Sequence, residues 1–177
     1  GESGCGKTTT GVALLKMPTP PGKIAGGEII IDNQNIVELS EKDVRKNVRW
    51  EKIAMVFQGA MNCLTPVYTI GKQMMETLTE HKQMNKEDAK KLIVKYLNLV
   101  GLPEHIVNRY PHELSGGMKQ RVVIAMALFL EPKVIVCDEP TTALDVIVQA
   151  QIINLLKDLK QKLNLSFIFI THDLATE

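Results

Sequence analysis

Gly1-Glu2-Ser3-Gly4-Cys5-Gly6-Lys7-Thr8-Thr9 opens the chain on the pattern Gly, four residues, Gly-Lys-Thr. Such a stretch describes a loop that wraps phosphates. Its glycines let successive backbone N–H groups turn inward with no Cβ in the way, forming a concave anion site. Lys7 has the reach for β- and γ-phosphates, and the Thr8 hydroxyl is a ligand type for Mg²⁺. The spacing predicts a helix from Lys7 to about Met17, and its positive dipole end adds to the attraction. A Gly-rich surface turn is the plainer reading of these residues, and the later stretches weigh against it.

At 177 residues, 45% of them apolar, the chain is long enough for one domain with a real core. A net charge of +1 supplies no field that favours nucleic acid or an acidic partner. The longest apolar run, Val122 to Leu130, is far too short to cross a bilayer, and no secretory signal is visible. Cys5, Cys63 and Cys137 are odd in number and widely spaced. That argues against a disulfide framework or a zinc site and suits a reducing compartment.

Along the chain, Glu28–Ile31 reads as a strand, followed by a turn at Asp32–Gln34 and a second short strand near Ile36. Ser40 with Asp43 resembles a capping box before a short polar helix. Ile53–Phe57 is the next strand and ends on Gln58, at the strand end where α/β sheets place ligands. A structural role for that amide stays equally open. From Gly59 to Tyr110 the texture turns to helices and Met-rich loops, with Asn85 as N-cap, Ala89, Leu92, Ile93, Tyr96, Leu97 and Val100 at helical spacing, and Gly101 as the stop. This predicts a helical subdomain at 59–110, inserted into an α/β body made of 1–58 and 111–177. Its methionines are expected in the core, with an adaptable docking surface as the other reading.

Ser115, Gly116 and Gly117 form a second helix start suited to an anion, with the helix expected through Leu130. Val134–Cys137 is a short apolar run, suited to a strand buried on both faces, that closes on Asp138 and Glu139. Acids there are costly unless they meet a cation or a reacting water. Asp138 suits Mg²⁺ and Glu139 suits the attacking water. Since neighbours on a strand face opposite ways, a local twist beyond the strand must let both address one ligand. A loop through Asp145 leads to a helix with Val148, Ile152, Leu155, Leu156, Leu159 and Leu163 on one face. Ser166–Ile170 is expected as another buried strand, ending near His172, a candidate γ-phosphate contact.

In this order, Gly1–Thr9, Gln58, Leu114–Gln120, Val134–Glu139, Ala143-Leu144-Asp145 and His172 resemble the Walker A, Q-loop, signature, Walker B, D-loop and switch histidine of ATP-binding-cassette (ABC) ATPases. The segments 57–68, 109–118 and 145–151 are similar to the dipeptide/oligopeptide/nickel importer branch, and to its first ATPase subunit type. The resemblance implies a P-loop NTPase core with a mostly parallel sheet, ATP and Mg²⁺ as ligands, and a head-to-tail dimer enclosing two ATPs. Carried over, Gly1, Ser3, Gly4, Cys5, Gly6, Lys7, Thr8 and Thr9 hold the chain's own nucleotide. Thr8, Gln58 and Asp138 serve the metal, and Glu139, His172 and Gln58 are the catalytic set. Ser115, Gly116, Gly117 and Asp145 belong to nucleotide binding, with Ser115 and Gly117 serving the partner's ATP. The implied partners are a second ATPase subunit, most naturally a different one, the membrane permease subunits, and indirectly a solute-binding protein. The implied place is the cytoplasmic face of the membrane, and the helical subdomain would receive the permease helices, with Gln58 at its hinge.

Met118 stands where glutamine is commonest in the family's signature, and Gly59 where many relatives carry Asp. The family also expects strands and an adenine-stacking aromatic before Gly1 and more chain after His172, so the sequence reads as a fragment. Two other functions compete with this reading. A cassette ATPase of DNA repair or chromosome maintenance would need a long insertion between Gln58 and Leu114, where there is room only for a compact helical subdomain. A fragment that binds nucleotide without turning it over is the third reading. Cys5, inside the phosphate loop, is a candidate for alkylation that nucleotide would block; an inert small residue is the alternative.

Overall fold

A computed structural model of the chain describes residues 4–82 and 84–171. Three strands form its parallel sheet: β3 (Ile53–Val56), β4 (Val134–Asp138) and β5 (Ser166–Ile170), in the order β3-β4-β5. The register sets Val56 beside Cys137, and Cys137 beside Phe169, so all three strands end at one level. Parallel neighbours need long crossovers. One runs from β3 through α3 (Ile70–His81), α4 (Lys86–Leu99) and α5 (Gly116–Ala127) to β4, and the other is α6 (Val146–Leu163). The α/β body with a parallel sheet expected from the sequence is the one observed.

Helix α1 (Lys7–Leu14) lies against one sheet face, where Leu15, Met55, Val136 and Ile170 share an apolar cluster. Gly11 allows the close approach, since a Cβ there would come within 2.9 Å of Ile170 Cδ1. The helix stops short of the expected Met17. Lys16 turns to φ 53°, and the Met17 and Lys16 amides donate to Val12 and Ala13 carbonyls at 3.0 and 2.8 Å. That is a Schellman ending with lysine where glycine is usual. The lysine ammonium donates to the carbonyls of Val37 and Leu39, which holds the unusual conformation in place. The two small strands are β1 (Ile30–Ile31), shorter than the expected Glu28–Ile31, and β2 (Gln34–Asn35), earlier than the expected Ile36, because Asp32 and Asn33 at φ 51° and 61° close the tightest kind of hairpin. The short α2 (Glu41–Asn47) begins on Ser40, whose Oγ accepts from the Asp43 amide at 3.1 Å.

On the other sheet face α5 and α6 cover the strands. A single apolar cluster joins Ala54, Val56, Ile135 and Cys137 to Ile124 and Phe129, then to Met74, Tyr96 and Leu97 on α3 and α4. Phe129 meets Tyr96 edge to face at 5.5 Å. Met55 and Met74 are buried, while Met75 and Met84 pack against the core, so these methionines fill the interior. Helix α4 starts on Asn85, whose side chain accepts from the Asp88 amide at 2.9 Å, and stops before Gly101 at φ 73°, as its sequence predicts. Helix α5 ends at Ala127 rather than Leu130, because Leu128 and Phe129 shift to the tighter bonds of a last turn and Phe129 swings into the core.

Two burial expectations fail. Strand β5 is not buried throughout: Ile168 and Phe169 are 40% and 45% exposed. Among the described residues it pairs only with β4, which leaves its other side uncovered by them. Leu163, placed on the apolar face of α6, is exposed in the last turn before Asn164 at φ 51°. No helix among the described residues is long and apolar enough to cross a membrane.

Candidate active site

The phosphate-type loop runs directly into α1. Gly4 and Gly6 sit at φ 82° and 89°, where a side chain would be strained. Gly6 is the N-cap and has no side chain to cap the first-turn amides. The first turn stands at the positive end of the helix dipole, which favours an anion. Beside them opens a cleft of about 480 Å³ lined by Gly4, Gly6, Lys7, Thr8, Thr9, Gln58, Glu139 and Thr142. The glycine loop and the candidate catalytic residues thus share one space.

The strand register explains the convergence. Val56 lies beside Cys137, so Gln58 and Glu139, each two residues further on, emerge level with one another. Gln58 Nε2 donates to Glu139 Oε2 at 2.9 Å. The twist expected beyond β4 is a single residue in the left-handed region: Glu139 itself has φ 46°, and its amide donates to the Ile170 carbonyl at 2.9 Å. That reversal turns the Glu139 side chain into the cleft instead of across the sheet from Asp138. The Thr142 hydroxyl also donates to Glu139 Oε2, at 3.0 Å. One carboxylate oxygen therefore takes donors from two separate loops.

Asp138 is 1% exposed, and neither of its oxygens has a hydrogen-bond partner. A buried carboxyl without a partner costs several kcal/mol, so a ligand is the natural reason for one. No group of three or more His, Cys, Asp or Glu among the described residues could hold a metal. A single buried carboxylate such as Asp138 suits Mg²⁺, which keeps most of its waters and takes one or two protein ligands plus substrate phosphates. Thr8 and Asp138 would be those ligands, with the amide oxygen of Gln58 on the same rim.

Other expected residues lie elsewhere. Ser115 Oγ accepts from the Met118 amide at 3.3 Å and caps α5; Asp145 Oδ1 accepts from the Val148 amide at 3.0 Å and caps α6. Neither they nor Gly116 and Gly117 line the cleft. These two helix starts instead adjoin one another, since a Cβ on Gly116 would lie 3.1 Å from Leu144 Cδ2 and one on Gly117 only 2.6 Å from Val148 Cγ1. Gly1, Ser3 and His172 fall outside the described residues. Thr142 is the residue that sequence reasoning missed, and its only signal was a hydroxyl one turn beyond the second acid.

Cys5 is exposed beside the cleft, and Lys7 Nζ donates to its Sγ at 3.7 Å. Alkylation there should obstruct Lys7, and MgATP should slow labelling of Cys5 by about tenfold or more when bound near saturation. Cys63 is also exposed and serves as an internal control, whereas burial pushes the Cys137 thiol up to about 12 and keeps it unreactive. Peptide mapping after maleimide treatment reads each site separately. Equal labelling of Cys5 with and without nucleotide would place the phosphates elsewhere.

The family model described as ABC transporter matches residues 1–142. The chain belongs to that family. Among curated ABC relatives, it is 54% identical over 178 residues to the oligopeptide transport ATP-binding protein OppD of Bacillus subtilis (strain 168), covering 99% of this chain and 49% of that protein. It is 46% identical to the dipeptide transport ATP-binding protein DppD of the same organism, covering 99% of this chain and 53% of that protein. For OppD of Escherichia coli (strain K12) the identity is 48%, over 99% of this chain and 52% of that protein. The chain spans about half the length of the curated relatives it matches. Among solved ABC structures, the dimeric post-hydrolysis state of the cassette MJ0796 bound to ADP and Pi superposes with a TM-score of 0.81 at 33% identity, covering 99% of this chain and 73% of that one. The structure of cbiO1 from Clostridium perfringens, part of the ABC transporter complex cbiONQ, gives 0.83 at 32% identity, covering 98% and 65%.

Proposed function

We propose that the chain is the ATP-binding and ATP-hydrolysing part of an ABC importer whose cargo is a peptide, with nickel as the alternative cargo. One observation carries this reading: the glycine loop, Gln58 and Glu139 face a single cleft, and the buried, unpartnered Asp138 precedes Glu139 in the chain. The α1 amides and Lys7 bind the triphosphate. Thr8 and Asp138 would hold Mg²⁺, which would supply positive charge to offset that of the phosphate oxygens. Gln58 and Thr142 fix Glu139, which orients the attacking water and takes its proton. His172 completes the set as a contact to the γ-phosphate.

The second anion-suited helix start has no place in this cleft, and we assign it outward. Ser115, Gly116 and Gly117, with Asp145 alongside, cap the nucleotide of a second ATPase subunit, which returns the same service. The helical part at 59–110 receives the permease subunits, so the protein works at the cytoplasmic face of the membrane, with a solute-binding protein acting through the permeases. The test is peptide uptake into vesicles that hold the full-length protein with its permease and partner subunits. Uptake should require ATP and be lost on Lys7→Ala. Uptake that is indifferent to ATP would sink the proposal.

A further inference from the structure

Glu139 Oε2 receives two donors of different character. Gln58 comes from the far end of another strand, 81 residues away in the chain. Thr142 is three residues from Glu139 and sits in the same turn, whose backbone closes by a Thr142 amide to Glu139 carbonyl bond of 3.1 Å. That turn is itself anchored. The side-chain amide of Gln149, on α6, donates to the carbonyls of Thr141 and Leu144 at 3.3 and 3.0 Å. Ala143, between them, is held at φ 67°, a conformation that needs such outside support.

We propose that Thr142 is a positioning residue for Glu139: its hydroxyl, fixed by a turn pinned to α6, keeps the carboxylate aimed into the cleft when the Gln58 contact opens. The proposal rests on reading Glu139 as the residue that takes the proton. A donor carried in the same turn moves with the carboxylate, whereas the Gln58 contact breaks whenever the chain after β3 shifts. A hydrogen bond to a charged group restricts that group strongly enough to change a rate. Thr142 needs no contact with ATP to do this.

The experiment compares Thr142→Val, Thr142→Ser and Glu139→Gln in the full-length protein assembled with its partner subunits, with kcat and the KM for ATP measured separately. Thr142→Val replaces the hydroxyl by a methyl at nearly constant volume and should lower kcat by about tenfold or more with KM changed less than about twofold. Thr142→Ser restores the donor and should recover most of that loss. A normal kcat for Thr142→Val, a loss carried by KM, or a serine variant as slow as the valine one would each overturn the proposal. Should the valine variant not assemble, Thr142→Ala against Thr142→Ser makes the same comparison. Turnover surviving in Glu139→Gln would remove the underlying reading; a dead Glu139→Gln beside a normal Thr142→Val removes the positioning role alone.

Discussion

Replacing Glu139 by Gln should leave ATP bound and cut turnover by about 10²–10⁴-fold, the usual contribution of a positioned base. On the activation barrier this is about 3–5 kcal/mol. The substitution keeps length and shape, and the new amide oxygen can still accept from Gln58 and Thr142 as Oε2 does now. What it loses is the capacity to take a proton. Affinity should hold because the proposed phosphate donors, the glycine loop, Lys7 and the first turn of α1, are untouched by the change. Phosphate release against fluorescent-nucleotide affinity separates the two effects. A variant turning over within about tenfold of the native protein would return the catalytic role to another group.

Gly117→Ala should destabilise the protein and also slow it. The added methyl would stand 2.6 Å from Val148 Cγ1, a separation that real carbon pairs do not tolerate. Overpacking of this kind costs about 1–3 kcal/mol. Alanine would gain at most about 1 kcal/mol in helix propensity, so the clash wins. Adding Val148→Ala removes the opposing methyl and should restore the melting temperature. Turnover is the discriminating readout in the double variant. If it stays low while stability returns, Gly117 also serves a neighbouring subunit's nucleotide; full recovery would limit it to packing α5 against α6.

The legible parts of this protein are those whose cause is local. Gly4 and Gly6 announce backbone conformations, and Ser40, Asn85 and Ser115 announce helix starts through side chains that the structure shows capping. The backbone reversal at Glu139 was readable too, since a two-residue acidic end cannot otherwise face one way. What escaped depends on partners distant in the chain. Lys16 ends α1 because the Val37 and Leu39 carbonyls lie within its reach, which no pattern around residue 16 reveals. Exposure of Ile168 and Phe169 follows from which strand lies beside β5, and an apolar run looks the same at an edge as in the middle. Gly117 looked like an amide donor; its packing against Val148 comes from how α5 and α6 cross. Thr142 was hidden for the opposite reason, since hydroxyls near turns are too common to single out.

The continuous apolar cluster from Val56 and Cys137 through Phe129 to Tyr96 and Met74 has a consequence for how the protein comes apart. The helices of 59–110 cannot unravel by themselves without baring α5, which in turn covers the sheet. Warming should therefore undo the two together, as one cooperative melt. During turnover, any tilt of those helices must proceed by side chains rolling over one another, with the geometry at Gln58 drawn along, rather than by an arm bending freely at its root.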